Sequence, residues 1–427
     1  MRRFFPNVYE GWLVVAASAF YITLTSGAIN YGFGTIFLPL REEFGWGVAA
    51  TAFAFSVRQE ASGIAAPFIG MVNDRFGPQR TVALGVLFVS GAVFGLSFIQ
   101  SIWQFYLAML AISIGASSVG GPVGMAAVTT WFERRRATAL AVMTIGGGLA
   151  GVMVVPIAAL VVSLGWREAV RIEALVLLIA GIVPASTTRF RPNDHPQPMD
   201  GSQQTTADGK PVKTHARWGI PAKIAIRTPS FGMLTLGLAA ISFGTASVIV
   251  LQIPYFVSIG IPAAVAASTV TVYAVTSVAG RLAFGMLADR YSGRAILLTC
   301  MTMTAIGLAL LPLVQVPWHA VGVLLLLGPG IGGTVPVRAA MIADSYGTTH
   351  FGTINGVVTF VRTLGSALGP LVVGLAVDRA GGDYTVGWLI SAGVVVVGLC
   401  ALIFERPPEA LRAEWRARAT AEAASGG

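Results

Sequence analysis

Long apolar runs divide this chain, and short polar segments separate them. Twelve runs contain about 18 or more mainly apolar residues, which is the length an α-helix needs to cross roughly 30 Å of hydrocarbon. Unbroken apolarity over such a length predicts membrane-spanning helices rather than amphipathic surface helices. The predicted spans are 12–37, 48–72, 81–99, 103–129, 138–162, 168–188, 230–258, 262–287, 295–314, 320–343, 353–376 and 384–404.

The composition agrees with this pattern. Charged residues make up only 11% of the 427 residues, whereas a soluble domain needs about 25%. We therefore predict an all-α membrane protein. The basic start, MRRFFPNVYEGW, resembles the first region of a signal peptide. The apolar run that follows is too long and lacks a small-residue cleavage site, so we expect a retained first helix.

The net charge of +9 reflects an uneven distribution of Lys and Arg. The segments on the side of the two termini hold twenty of the 28 basic residues, and the opposite loops hold Arg41, Arg167 and Arg379. This positive-inside pattern predicts an inner-membrane protein with cytoplasmic termini, without a nucleic-acid partner. The segments on the basic side are 1–10, 73–80, 130–137, 189–229, 289–294, 344–352 and 405–427.

One polar segment, 189–229, contains RPNDHPQPMDGSQQTTADGKPVK, and its Pro, Gly and polar residues are typical of a linker. It predicts two six-helix halves, 1–188 and 230–404, followed by a cytoplasmic tail, 405–427.

The sequence offers no arrangement of residues for catalysis. Cys300 and Cys400 fall within predicted spans, and the four histidines fall in loops or at span ends. We find no combination of nucleophile, base and metal ligands, and no glycine motif for a nucleotide. We therefore expect no enzyme activity, no metal, no cofactor and no use of ATP.

Internal repeats relate the two halves. GMVNDRF at 70–76 recurs as GMLADRY at 285–291, an offset of 215 residues. At the same offset, the start of WFERRRATALAVMTIGGGLAG (131–151) falls on the start of YGTTHFGTINGVVTFVRTLGSALG (346–369). Two matches in one register indicate that the halves are copies.

These motifs resemble a known family. GMVNDRFGPQR (70–80) resembles the loop between helices 2 and 3 of the major facilitator superfamily, from which it departs at Asn73 and Gln79. The resemblance implies twelve helices in two pseudo-symmetric halves around a central cavity. YEGWLVV (9–15) and the segment 131–151 resemble helices 1 and 5 of monocarboxylate transporters, and bacterial oxalate:formate antiporters share much of this pattern.

Two arginines lie deep within predicted spans of the second half. Arg281 is eight residues before Asp289, so it lies about 12 Å from the cytoplasmic end, and Arg362 reaches a similar depth. Their repeat partners, Ala66 and Gly147, are uncharged. A guanidinium binds a carboxylate through a planar fork. The resemblance implies that Arg281 is the family's substrate-binding arginine of helix 8, and that Arg362 stands where oxalate:formate antiporters have a lysine.

Charges near the cytoplasmic span ends predict a gate. Asp74 can accept hydrogen bonds from a helix N-terminus, and Arg338 in span 10 is within predicted reach of the motif around Asp289 for a salt bridge. For Arg80 a purely topogenic role is an equal alternative. The expected gate residues are Asp74, Arg75, Arg80, Asp289, Arg290 and Arg338.

Other polar positions can complete a binding cavity, although aromatic residues at helical spacing also serve packing. The candidates are Asn30, Tyr31, Gln252, Tyr255, Tyr273 and Ser277. Arg58 and Glu60 in span 2 are candidates for coupling, with structural pairing as the alternative for Arg58. We expect Arg171 and Glu173 to remain near the outer interface.

The favoured function is transport of small mono- or dicarboxylate anions by alternating access, in a monomer embedded in the lipid bilayer. Monocarboxylate transporters carry an acidic residue one turn before the helix 8 arginine, where this chain has Ser277, and a helix 1 lysine near the place of Tyr31. Exchange is therefore favoured, because an empty cationic site is costly at low dielectric. The alternatives are a proton-coupled monocarboxylate symporter, a proton-driven exporter of drugs or metabolites, and a membrane sensor. The sensor is disfavoured by a tail of only 23 residues after Phe404.

Overall fold

Helices make up the fold. The computed structural model describes residues 8–192, 195, 199–201 and 218–425, so most of the predicted linker lies outside the described residues. Within these ranges no strand is found, and twelve long helices coincide with the twelve predicted spans. Helices α1 to α12 are Glu10–Phe44, Val48–Phe76, Pro78–Leu96, Ile102–Trp131, Arg136–Leu164, Trp166–Ala185, Pro229–Ser258, Ala263–Arg290, Gly293–Leu313, Pro317–Tyr346, Phe351–Arg379 and Thr385–Phe404, and α13 is Glu409–Ser425.

Ten of the described helices are long and apolar enough to cross a membrane. The other two of the twelve, α2 and α6, carry more charge. Arg58 and Glu60 lie inside α2, and Arg171 and Glu173 lie inside α6. A helix satisfies its own backbone groups, so all-helical spans are what the bilayer interior permits.

Three of the helices contain non-α turns, and in α9 this is a 3₁₀ turn at its end, Leu311–Leu313. Helix α1 has a π-helical turn at Ser26–Gly32, and α5 has a 3₁₀ turn at Ala150–Met153. The two turns pack against each other. A Cβ added to Gly27 would lie 2.6 Å from Met153 Sδ. Turns of this kind are frequent at functional sites in helices.

The chain divides into two compact units. The N-terminal unit comprises Met1–Gly219, Gly347–Gly356 and Trp415–Gly427, and the C-terminal unit comprises Ile220–Tyr346 and Val357–Glu414. Helix α11 therefore begins in the N-terminal unit and continues in the C-terminal unit. The finer division at the linker, between 188 and 230, stays a prediction.

Small residues bring helices close together in the N-terminal unit. A Cβ added to Gly146 of α5 would lie 2.3 Å from the carbonyl oxygen of Ala19 in α1. The Thr23 hydroxyl donates to the carbonyl oxygen of Gly146 over 3.0 Å. Within a bilayer, helix association depends on such close packing and on interhelical hydrogen bonds, since lipid tails are as apolar as side chains.

Candidate functional site

Arg362 is fixed in the C-terminal unit by a neighbouring helix. Its Nε atom donates to Ser242 Oγ of α7 over 2.9 Å, and that hydroxyl donates onward to the carbonyl oxygen of Leu238 over 2.8 Å. Helix α11 approaches α7 closely here, because a Cβ added to Gly365 would lie 2.3 Å from the carbonyl oxygen of Ala239. The side chain is half-buried about 16 Å from the start of α11. One edge of the guanidinium is therefore held, which orients the rest.

Helices α8 and α10, which carry Arg281 and Arg338, pack closely against each other. A Cβ added to Gly332 would lie 2.1 Å from the carbonyl oxygen of Ser277, and one added to Gly280 would lie 2.3 Å from Pro329 Cα. Neither contact leaves room for a larger residue. This close packing sets the positions of Arg281 on α8 and of Arg338 on α10.

Arg338 lies further from the end of its helix than the sequence predicts. Helix α10 continues to Tyr346, so Arg338 lies eight residues, about 12 Å, from its C-terminal end. Asp289 is one residue from the end of α8. The side chain of Arg338 is only 7% exposed. The salt bridge expected between Arg338 and the motif around Asp289 stays a prediction.

Arg281 lies at the depth that the sequence predicts. It is nine residues, about 14 Å, from the end of α8, and its side chain is half-buried. Ser277, one turn earlier, is 4% exposed and faces α10 at Gly332. Ser277 thus contributes to the interface between α8 and α10, and its role as a substrate contact stays a prediction.

The remaining polar candidates differ in their surroundings. Gln252 of α7 is 2% exposed, and its Oε1 atom has no hydrogen-bond partner among the described residues. Tyr273 of α8 is half-buried. The side chains of Asn30 and Tyr31 lie outside what the structure describes.

Tyr255 is packed against other residues of the C-terminal unit. It is 3% exposed, and its hydroxyl donates to the carbonyl oxygen of Leu311 over 2.5 Å. Its ring centre lies 5.4 Å from that of Tyr384 and 5.5 Å from that of Trp388. Both the ring and the hydroxyl contact protein partners, and a role for Tyr255 in a substrate cavity stays a prediction.

Asp74 binds the first turn of α11 within the N-terminal unit. Its Oδ1 accepts from the backbone N–H of Gly352 at 2.9 Å, and its Oδ2 accepts from the N–H and the hydroxyl of Thr353, both at 2.7 Å. The first N–H groups of a helix lack partners inside the helix, and a negative charge there is stabilised by the helix dipole. The carboxylate therefore caps α11.

The other gate candidates lie at or near helix ends. Arg75, Arg80 and Arg290 are exposed, and the Arg75 guanidinium lies 5.4 Å from the Phe76 ring centre. Asp289 is half-buried. Exposed arginines at cytoplasmic helix ends suit lipid phosphates as well as a gate, so the role of these residues stays a prediction.

The coupling candidates in α2 are not partners of each other. Glu60 is half-buried and makes no hydrogen bond or ion pair with any described residue, so it does not neutralise Arg58. The backbone carbonyl of Arg58 accepts from Ser113 Oγ of α4 at 2.6 Å, which fixes α2 at this level.

Glu173 was not recognised as a site residue from the sequence. Arg171 pairs with Glu168 at 2.5 Å in the first turns of α6, and its guanidinium lies 5.1 Å from the Phe98 ring centre. Glu173 faces the π-helical turn of α1, with Oε1 3.2 Å from where a Cβ on Gly32 would lie. Packing excludes water from its carboxylate, which has no hydrogen bond or ion pair within the described ranges. Its sequence signal is a charge five residues into the predicted span 168–188.

A cavity of about 250 Å³ lies in the N-terminal unit beside the start of α1. Two of the lining residues, Glu10 and Arg189, pair at 2.8 Å, and the same carboxylate oxygen is 2.8 Å from His195 Nε2. Because these charges neutralise each other, this cavity has little need of a charged ligand. No group of three or more potential metal ligands is present in the described parts of the chain.

Comparison with known proteins gives a family match over almost the whole chain. The model described as Major Facilitator Superfamily matches residues 19–258 and 232–423. Monocarboxylate transporter 12 of Xenopus laevis is 23% identical over 402 residues, which cover 90% of this chain and 86% of that protein. Monocarboxylate transporter 13 of Bos taurus is 24% identical over 401 residues, which cover 93% of this chain and 90% of that protein.

Solved structures match the fold. The fucose:proton symporter of E. coli superposes with a TM-score of 0.70 at 14% identity, covering 93% of this chain and 98% of that one. A bacterial homologue of the iron transporter ferroportin, in an outward-facing state, gives 0.68 at 14% identity, with 93% and 99% covered. At such low identity these likenesses concern the fold alone.

Proposed function

This chain belongs to the major facilitator superfamily, and from that premise we propose that it carries small organic carboxylate anions across the membrane by alternating access, as an anion exchanger. The family consists of transporters rather than enzymes, and the multi-pass membrane fold follows from it. The uneven distribution of Lys and Arg supports an inner-membrane location with cytoplasmic termini.

The observation that carries the proposal is the positive charge inside the C-terminal unit. Arg338 is 7% exposed and lies eight residues inside the end of α10, and Arg362 lies eleven residues inside the start of α11. The described helices of this unit have no Asp or Glu at their depth, since Asp289, Asp344 and Asp378 all lie near helix ends. A charged side chain deep in a bilayer is costly, so it is kept where it binds something. An anionic substrate supplies the missing countercharge.

Carboxylate is the anion that these groups suit best. The guanidinium fork presents two parallel N–H donors that match the two oxygens of a carboxylate. Ser242 occupies only the Nε atom of Arg362, which leaves its Nη atoms for the substrate. The names of the monocarboxylate transporters among the relatives point in the same direction.

Exchange follows from the same charges. A site with unneutralised arginines is unfavourable at low dielectric, so the loaded carrier should change its state more readily than the empty one. The hydrogen bonds from the first turn of α11 to Asp74 are contacts that this conformational change has to break and re-form.

Counterflow in proteoliposomes tests the proposal. Vesicles filled with unlabelled oxalate, malonate, lactate or pyruvate should take up the same labelled compound from outside. Arg281→Ala should lower the initial rate by about 100-fold, because truncating one partner of a buried charged pair costs several kcal/mol. Undiminished uptake by Arg281→Ala would refute its assigned role.

A proton-coupled symporter is the second candidate, and Glu173 is the observation that favours it. A dehydrated carboxylate beside the π-helical turn of α1 is a suitable place for a proton. The helices packed against α6 have few charged residues near Glu173. Helices α3 and α5 have only Arg80 and Arg136, at their cytoplasmic starts, and the charged residues of α1 lie at its two ends.

Glu173→Gln separates the two mechanisms. This variant should keep counterflow nearly unchanged, since exchange needs no net proton movement, and it should lose any uptake that a pH gradient drives in the wild-type protein. Glu60→Gln is the matched control, because Glu60 is a half-buried carboxylate in another helix. Gradient-driven uptake that survives Glu173→Gln but not Glu60→Gln would assign coupling to α2 instead.

A further inference from the structure

Asn73 is a polar residue buried where α2 meets α11 in the N-terminal unit. It is 1% exposed, and its side-chain Nδ2 and Oδ1 atoms both lack a hydrogen-bond partner within the described part of the chain. The Nδ2 atom lies 3.0 Å from where a Cβ on Gly352 would be, so the amide rests against the first turn of α11. An asparagine amide can donate two hydrogen bonds and accept two. Burial without any of them destabilises the conformation that buries the amide.

The internal repeat shows that this position does not need an amide. Asn73 lies three residues after Gly70 in GMVNDRF, and the same position of GMLADRY holds Ala288. The two copies share the glycine before this position and the Asp-Arg pair after it. Asn73 is also one of the two positions at which the segment 70–80 departs from the superfamily motif. The buried amide is therefore specific to the first copy and is not required by the helix end.

The other contacts between α2 and α11 are stabilising. A Cβ added to Gly70 would lie 2.1 Å from the carbonyl oxygen of Gly352, and one added to Gly356 would lie 2.5 Å from that of Ala66. Asp74 adds three hydrogen bonds to the first turn of α11. Close backbone packing and interhelical hydrogen bonds are what hold helices together in a bilayer. Two conformations are both populated only when their free energies are close, so a contact that opens in every transport cycle has to be limited in stability.

We propose that Asn73 destabilises the contact between α2 and α11 and thereby controls how readily it opens during transport. The inference rests on alternating access in the proposed function and adds a residue that controls its rate. While the contact is closed, the amide is buried without a partner. When α11 moves away from α2, water reaches both polar atoms of the amide. Hydration of Asn73 therefore favours opening, whereas the glycine contacts and the hydrogen bonds of Asp74 favour closure.

Hydrogen exchange of the Gly352 and Thr353 amides in the purified full-length protein tests the inference without a substrate. Asn73→Leu keeps nearly the same side-chain volume and removes both polar atoms, so these amides should exchange about tenfold more slowly. Asn73→Ala, which copies Ala288, should act in the same direction with a smaller effect, because it also removes packing. Asn73→Leu should melt at the same temperature as the wild type or above it.

Two control variants calibrate the exchange measurement. Gln59→Leu replaces an exposed amide of α2 with the same apolar residue and should leave the exchange unchanged. Gly70→Ala places a Cβ 2.1 Å from the carbonyl oxygen of Gly352 and should speed the exchange of the same amides.

Counterflow in proteoliposomes connects the contact to transport. Asn73→Leu should lower the initial rate by up to about tenfold, because the contact opens less often, and should leave the affinity for substrate unchanged. Thr353→Val removes one hydrogen bond to Asp74. It should raise the rate in the Asn73→Leu background, although it lowers the rate on its own. This reversal of sign is not expected if Asn73→Leu merely damages the fold.

Two outcomes would overturn the inference. Unchanged or faster exchange in both Asn73→Leu and Asn73→Ala would show that the amide has a partner, such as a buried water, or that it stabilises the contact. Slower exchange with normal counterflow would show that the contact does not limit transport. A wild-type protein without counterflow of oxalate, malonate, lactate or pyruvate would instead refute the proposed function, and the exchange measurement would still decide whether Asn73 destabilises the contact.

Discussion

Replacing Arg362 with alanine should lower carboxylate counterflow by about 100-fold. Arg362 is half-buried about 16 Å inside α11, and Ser242 holds its Nε atom. Truncation removes the fork and the charge together, and the bound carboxylate then faces low dielectric without its partner. The initial rate of counterflow in proteoliposomes measures the effect, and the melting temperature shows whether the variant is folded.

Three variants separate the charge of Arg362 from its orientation. Arg362→Lys keeps the charge without the fork and should fall between the wild type and the alanine variant. Ser242→Ala removes only the orienting acceptor, so a loss of about fivefold is expected from one neutral hydrogen bond. Arg379→Ala removes an exposed arginine of the same helix and should leave the rate of counterflow unchanged. An alanine variant at position 362 that transports normally would exclude the proposed site.

Replacing Asp74 with alanine should release the first turn of α11. The carboxylate accepts three hydrogen bonds, two of them from N–H groups that have no partner inside the helix. Hydrogen bonds to a charged group contribute roughly 1.5 to 3 kcal/mol each, so the amides of Gly352 and Thr353 should exchange with solvent at least 100-fold faster. Hydrogen exchange followed by mass spectrometry measures this directly and needs no substrate.

The same substitution should slow transport without weakening the binding of substrate. Asp74 lies in the N-terminal unit, far in sequence from the arginines, so malonate affinity should stay close to that of the wild type. Thr353→Val removes only the hydroxyl bond and should give a smaller effect on both exchange and counterflow. Amides that remain protected in Asp74→Ala would show that Asp74 does not hold α11, and the gate role would fail.

The number of spans and the repeat could be predicted from the sequence because both are local or periodic. Eighteen apolar residues specify a transmembrane helix without reference to the rest of the chain. The motif at 70–76 and its copy at 285–291 identified the superfamily, which the match over residues 19–258 and 232–423 confirms. The preference for exchange remains a proposal.

The depth of Arg338 could not be predicted, because it depended on where a helix ends. The predicted span stopped at 343, which put Arg338 near the cytoplasmic surface and within reach of Asp289. Helix α10 runs three residues further, to Tyr346. Since each residue adds 1.5 Å, Arg338 lies about 12 Å from the end of the helix, where its side chain is buried.

Tyr255 and Glu173 show a second limit of the sequence. Both lie in apolar helices, where a polar residue can face a cavity or another helix equally well. Tyr255 meets Leu311, Tyr384 and Trp388, which are more than fifty residues away in the chain. Glu173 meets the turn at Gly32, whose π-helical form no local pattern indicates.

The sequence by itself determined that this is a twelve-helix membrane protein of duplicated halves, with arginines deep in the second half. Apolarity, repeat spacing and charge are properties of the residues themselves, so they can be read without coordinates. Only the tertiary structure decided which hydroxyl holds Arg362, which carboxylate caps α11 and which residues pack on Tyr255. These roles depend on partners within a few ångströms, and helix ends and helix packing determine which residues become partners.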